Sequence, residues 1–79
     1  MQQVTVGRWT SIDRKKNRFR AYHLYLAEDL WGKMCLVREW GRIGKRPQQC
    51  FYWPRSDKDL ARLLQGTILR RKAHGYQQN

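Results

Sequence analysis

Apolar and aromatic residues alternate with polar ones through the first half of the chain, a period typical of β-strands. The clearest such segment is 19–26, where Tyr22, Leu24 and Leu26 share one face and the residues between them share the other. We expect the first face to pack on the core. His23 would then point from the opposite side of the sheet, as a surface residue.

Three further segments have strand-like alternation and composition: 3–12, 34–43 and 48–54. In the first of them, Val4 and Val6 would share a side, together with Arg8. Gly32 would close the turn between the second and third strands, because glycine readily adopts the left-handed conformation. Pro54 ends the fourth strand, since proline has no amide hydrogen for the ladder.

The segment from Ser56 to His74 is predicted to be a helix with both ends marked in the sequence. Ser56 is a good N-cap with Asp59 three residues on, and Gly75 follows the last turn. One stripe of the helix is apolar and should cover the sheet: Leu60, Leu63, Leu64 and Ile68. These elements predict an α+β fold, with an antiparallel sheet of about four strands and one C-terminal helix packed on one face.

The composition adds that this fold carries a large positive charge. The 79 residues fit one domain, spanning 1–79, and contain 17 Lys and Arg against 6 Asp and Glu, a formal charge of +11. The basic residues are spread from Arg8 to Lys72, so the folded body must carry a positive field that favours a polyanion. Four Trp and four Tyr lie among them, a mixture suited to stacking on bases. Nucleic acid is therefore the expected partner.

No catalytic arrangement is visible in the sequence. None of the six carboxylates lies beside a histidine or serine at a suggestive spacing, and no glycine-rich phosphate loop is present. We therefore expect neither enzymatic activity nor a bound cofactor. The N-terminus does not resemble a secretory signal, and no apolar stretch reaches the length of a membrane span. These observations predict a soluble cytoplasmic monomer that does not contact membranes.

The two cysteines are not expected to form a metal site or a disulfide. Cys35 and Cys50 do not have the C-x-x-C spacing, and the two histidines add no ligand pattern. If strands three and four meet around a turn centred on 45–46, Cys50 lies opposite Gly41 and Cys35 opposite Ser56. The sulfur atoms would then be beyond disulfide reach. Reduced, partly buried thiols are the expected state.

The most informative segment is 37–44, in which Trp40 and Arg42 flank a glycine inside a strand-like run. Residues two apart in a strand point to the same face, so the indole and the guanidinium would stand side by side over Gly41, with Arg38 further along that face. Such a surface suits a sugar, a base or a phosphate. The alternative is that Trp40 serves only as a half-buried core aromatic.

Two basic clusters accompany this segment. Lys45 and Arg46 lie in the turn after it, and hairpin geometry places them at the same end of the sheet as Trp40. The remaining cluster, in and beside the first loop, would join them only if that loop folds back: Arg14, Lys15, Lys16 and Arg18. That loop is either a solvated linker or an arm that faces phosphates.

At these residues the chain resembles the WGR domain, a family named for the tripeptide that stands here as Trp40-Gly41-Arg42. The resemblance covers nearly the whole chain and is closest to short bacterial proteins that consist of this domain. Further segments carry it: Asn17-Arg18-Phe19, Leu30-Trp31-Gly32, the block from Leu36 to Gly44, and Arg70-Arg71-Lys72 before Gly75-Tyr76.

The resemblance implies a compact antiparallel sheet with one helix against it and a nucleic-acid-binding role. In the eukaryotic poly(ADP-ribose) polymerases this domain contacts DNA at strand breaks, and its tryptophan and arginine help to hold the break end. Only Trp40, Gly41 and Arg42 correspond by motif. The chain has no ADP-ribosyl transferase portion, so the catalytic role of those enzymes is not implied.

Two functional hypotheses follow, with a third that composition leaves open. In the first, the protein binds DNA through its backbone, ends or nicks rather than by reading sequence. In the second, the face around Trp40 and Arg42 docks on an acidic protein partner, and the charge steers their encounter. RNA is the third possible partner.

Overall fold

The computed structural model describes residues 3–79. Within that range the chain forms one antiparallel sheet and one helix, with these bounds: β1 (Gln3–Asp13), β2 (Arg18–Glu28), β3 (Met34–Arg42), β4 (Gln48–Tyr52), α1 (Asp57–Ala73) and β5 (Gln77–Gln78). The strands lie side by side in the order β4-β3-β2-β1-β5. The α+β class is confirmed, and the described strands number five rather than about four. The additional strand, β5, is two residues long and so has no alternation that a sequence could show.

Helix α1 covers one face of the sheet and encloses the main core. The buried residues on that face come from three neighbouring strands: Trp9, Tyr22, Leu24 and Leu36. The helix packs on them through Leu60, Leu63 and Leu64. The expected core-facing side of β2 is therefore confirmed. No helix among residues 3–79 is both long and apolar enough to cross a membrane.

The helix begins and ends where the sequence indicates. Ser56 is the N-cap, and its Oγ accepts a hydrogen bond from the amide of Asp59 at 3.1 Å. Gly75 follows the C-cap with a φ of 81°, which glycine adopts without strain. The predicted stripe was wrong at its last position, because Ile68 is 38% exposed whereas Thr67 is 3% exposed. Thr67 lies seven residues, about two helical turns, after Leu60 and so continues the stripe more closely.

The alternation of β1 is interrupted near its start. Its pairing with β2 shifts between Thr5 and Gly7, which is a β-bulge at Val6. Beyond the bulge the buried residues are Gly7, Trp9 and Ser11, and Arg8 is exposed. Val6 packs against the core under α1, whereas Arg8 lies opposite His23 and so faces the other side of the sheet. The prediction that Arg8 shares a side with Val4 and Val6 was therefore wrong, because the extra residue inverts the alternation.

Strands β3 and β4 pair in a different register from the one expected. Cys50 lies opposite Arg38, and Gln48 lies opposite Trp40. The chain reverses earlier than predicted, because Gly44 adopts a φ of 86° and the amide of Lys45 donates to the carbonyl of Arg42 at 3.0 Å. The turn is therefore centred on residues 43–44 rather than 45–46. Strand β4 also ends at Tyr52, two residues before the predicted end.

The sheet has a second apolar cluster on the face opposite α1. It consists of Tyr25, Ala27, Cys35 and Val37, all buried. Cys50 pairs with Arg38, so it faces α1, whereas Cys35 alternates to the other side of the sheet. Both cysteines are free thiols.

Two glycine substitutions should have opposite effects on stability. A Cβ atom at Gly7 would overlap the Trp9 indole, so we expect Gly7→Ala to lower the free energy of unfolding by about 2 kcal/mol. A Cβ atom at Gly66, inside α1, would meet only the Arg70 guanidinium at 3.6 Å. Gly66→Ala should therefore raise the free energy of unfolding by about 1 kcal/mol through helix propensity. Urea denaturation measures both, and equal effects would contradict the packing of Trp9 on Gly7.

Candidate nucleic-acid interface

The two basic turns lie at the same end of the sheet. In an antiparallel meander alternate connections share an end, so the β1–β2 turn at 14–17 lies beside the β3–β4 turn at 43–47. The C-terminus of α1 reaches this end too, because the Arg18 guanidinium donates to the His74 carbonyl at 3.1 Å. The expectation that the first loop must fold back to join the other clusters was therefore wrong.

This gathering concentrates positive charge, and we call the region the basic end. It contains eleven of the 17 Lys and Arg residues and one acidic residue, Asp13. The basic members come from both turns, the strand ends beside them and the last helical turn: Arg14, Lys15, Lys16, Arg18, Arg20, Arg42, Lys45, Arg46, Arg70, Arg71 and Lys72.

The opposite end of the molecule is electrically balanced. Four basic residues lie there, on the β2–β3 turn and the start of α1: Lys33, Arg55, Lys58 and Arg62. Four of the six acidic residues lie there as well: Glu28, Asp29, Asp57 and Asp59. Almost all of the net charge of +11 therefore belongs to the basic end.

Trp40 links the core to a groove at the basic end. Its ring stacks on that of Tyr22, with centroids 6.4 Å apart and planes inclined by 21°. The side chain is only partly buried and lines a cavity of about 620 Å³ with Arg18, Arg42 and Tyr76. Trp40 thus has a structural contact on one side and an open groove beside it.

Arg42 connects the two basic turns. Its guanidinium donates to the backbone carbonyl and to the side-chain Oδ1 of Asn17, each at 3.2 Å. The same group lies 5.2 Å from the centroid of the Phe19 ring, within cation–π range. Arg42 remains exposed, so these contacts orient the guanidinium while leaving it open to solvent.

Gly41 gives the motif its backbone shape. Its φ of 157° is one that side-chain-bearing residues rarely adopt, and a Cβ atom there would lie 3.5 Å from the Cα of Pro47. Gly41 pairs with Ala21, so both residues of this cross-strand pair of β2 and β3 are small. The turn after the motif can therefore approach the strand closely.

Arg38 is not part of the basic end. It lies further inward on β3, partly buried, and its guanidinium donates to the Sγ of Cys50 at 3.2 Å. Its contact therefore joins β3 to β4 within the sheet. The structure brings the other predicted site residues together and leaves Arg38 apart from them.

Glu39, between Arg38 and Trp40, is held by two hydrogen bonds on the face opposite α1. Its Oε1 accepts from the hydroxyl of Tyr25 and from the Nε2 of Gln49, the latter at 2.9 Å. The Tyr25 bond is the main cause that lowers the pKa of the Glu39 carboxyl, with the Gln49 bond adding to it. Burial, together with the carboxylate, raises the pKa of Tyr25 to about 12. Glu39 is thus an ionised structural link between three strands.

The part of the chain that the structure describes contains no group of three or more His, Cys, Asp or Glu residues able to hold a metal ion. His23 lies on the face opposite α1, where its Nε2 is 3.1 Å from the hydroxyl of Thr5. Burial and then the nearby Arg8 lower its pKa. This histidine therefore favours its neutral form within the sheet.

Comparison with known proteins agrees with this geometry. The family model described as "WGR domain" matches residues 5–79, which include all of the fold except the first two residues of β1. The chain belongs to the WGR family. It is also similar to an uncharacterized protein, y4dW, of Sinorhizobium fredii, with 31% identity over 65 residues. That alignment covers 82% of this chain and 32% of the relative, so the chain spans about a third of the relative's length. No solved structure gave a significant match.

This WGR domain places in the basic end further residues that were not among the predicted site residues. Arg20 lies directly opposite Arg42 in the β2–β3 ladder. Arg71 lies with its Cζ 4.2 Å from the centroid of Tyr22 and 5.2 Å from that of Tyr76. The basic run at the end of α1 was a visible signal, but its position against the sheet depends on how the helix crosses it.

The ionised state of Glu39 should contribute to acid stability. Because its pKa is lower in the folded protein than in the unfolded chain, the interaction stabilises the fold above about pH 4.3 and is lost as pH falls through the folded pKa. When the pH is lowered from about 5 to about 3, we expect the free energy of unfolding to fall less in the Glu39→Gln variant than in the parent protein. Denaturant unfolding across this range measures the difference. Parallel pH profiles for the two proteins would contradict the role of Glu39.

Proposed function

We propose that this WGR domain is a non-catalytic module that binds nucleic acid, DNA in particular, through the basic end. The observation that carries the proposal is the separation of charge: eleven basic residues and one acidic residue share the end that contains Trp40 and Arg42. WGR domains bind nucleic acid in the poly(ADP-ribose) polymerases, which supports the same class of partner here.

The shape of the basic end favours contacts with the nucleic-acid backbone over sequence readout. Many of its exposed cations stand on two short turns, whereas reading base edges in the major groove commonly requires an inserted helix or β-ribbon. Arg14, Lys15, Lys16, Lys45 and Arg46 are all exposed and can reach phosphates. The groove beside Trp40 can take a sugar or an unpaired base, which is accessible at a strand end or nick.

Salt dependence tests the phosphate contacts. With some five phosphates neutralised on duplex DNA, log affinity should fall with log salt concentration with a slope of about −4 to −5. Lys45→Ala should reduce the magnitude of that slope by about 1, because it removes one contact. Lys58→Ala is the matched control, since Lys58 is an exposed lysine at the opposite end and should leave the slope unchanged.

Fluorescence titration with duplex, nicked and single-stranded DNA and with RNA measures these slopes and ranks the ligands. The absence of salt-dependent binding to every DNA form would refute the proposal. The competing function, docking on an acidic protein, uses the same charges but needs no phosphates. Binding to polyglutamate as strong as binding to DNA would favour that alternative.

A further inference from the structure

Strand β4 forms an edge of the sheet that carries no charge. In residues 3–79 it pairs only with β3, whereas the other edge of the sheet is partly covered by β5. The segment from Pro47 to Pro54 contains no charged residue, although 29% of the chain is charged. Edge strands are commonly protected by charged side chains, and lysine above all, because their free amide and carbonyl groups pair with other strands. Strand β4 lacks that protection.

An aromatic surface continues from this edge across the face opposite α1. Phe51 and Trp53 are each 50% exposed, and their rings lie 6.5 Å apart. With the β2–β3 turn, where Trp31 is 82% exposed, they line a predominantly apolar groove above the cluster of Tyr25, Ala27, Cys35 and Val37. Contiguous exposed apolar surface of this kind marks an interaction site. We call it the aromatic face.

We propose that the β4 edge and the aromatic face bind a second copy of this chain, with the two β4 strands antiparallel across a two-fold axis. Such pairing continues the sheet from one subunit into the other and brings the two aromatic faces together at the junction. The proposal goes beyond the nucleic-acid role and does not depend on it.

The distribution of charge favours a second copy of the chain as the partner of the β4 edge. An antiparallel arrangement puts the basic end of each subunit beside the opposite end of its partner, where four acidic residues balance four basic ones, and not beside the partner's own basic end. The two basic ends therefore point away from one another, and their repulsion is small. A nucleic acid or an acidic peptide on the β4 edge would find no cation on the strand itself, so neither matches this surface as well as a second copy.

Sedimentation equilibrium of the purified chain tests the proposal, from about 10 µM to about 1 mM, where weak homodimers assemble. The expected mass rises with concentration from 9.6 kDa toward twice that value. Phe51→Lys places a charge on the aromatic face and should raise the dissociation constant at least about tenfold. Leu69→Lys is the matched control, because Leu69 is a 67% exposed apolar residue on α1 and its replacement should leave the constant unchanged.

Hydrogen exchange provides a second measurement that needs no variant. Amides of β4 should exchange more slowly at high protein concentration, whereas amides of the 14–17 turn should not change. A mass of 9.6 kDa at every concentration would overturn the proposal. So would a dimer that Phe51→Lys leaves intact, or one that Leu69→Lys weakens equally.

Discussion

The structure depends on the aromatic contacts made by one residue, Tyr22, at the centre of the sheet. Its ring meets Trp9 of β1 edge-on, stacks on Trp40 of β3 and meets Tyr76 edge-on after the helix. The guanidinium of Arg71 lies over it from α1. One side chain therefore joins three elements and the C-terminal segment. Because a domain of 79 residues has a small core, losing these contacts would affect every layer of the fold.

The same contacts explain why the family motif has both structural and exposed parts. The Trp40 ring is held by stacking on Tyr22. The Arg42 guanidinium is oriented by its hydrogen bonds to Asn17 and its cation–π contact with Phe19. Fixed side chains lose little further conformational entropy when a ligand binds. The motif therefore presents an indole and a guanidinium that are already placed beside the groove, and the surrounding turns supply exposed charge that attracts a ligand over longer distances.

Much of this arrangement could be predicted from the sequence. The alternation around Tyr22, the caps at Ser56 and Gly75 and the tripeptide at 40–42 are local signals, and they correctly predicted strand β2, both ends of α1 and the family. Long-range geometry was missed. The bulge at Val6 placed Arg8 on the face opposite α1, and the turn at Gly44 shifted the register of β4. Neither feature can be recognised from the alternation of apolar and polar residues alone. The meeting of both basic turns with the end of α1 followed from topology, which the sequence did not specify.

Amide chemical-shift mapping with a short nicked DNA duplex would locate the nucleic-acid interface on the protein. We expect the largest shifts on the basic end, in the turns at 14–17 and 43–47, at Trp40 and in the last turn of α1. Shifts should be small in the β2–β3 turn and at the start of α1, where positive and negative residues balance. Shifts centred on that balanced end would show that the basic end is not the nucleic-acid interface.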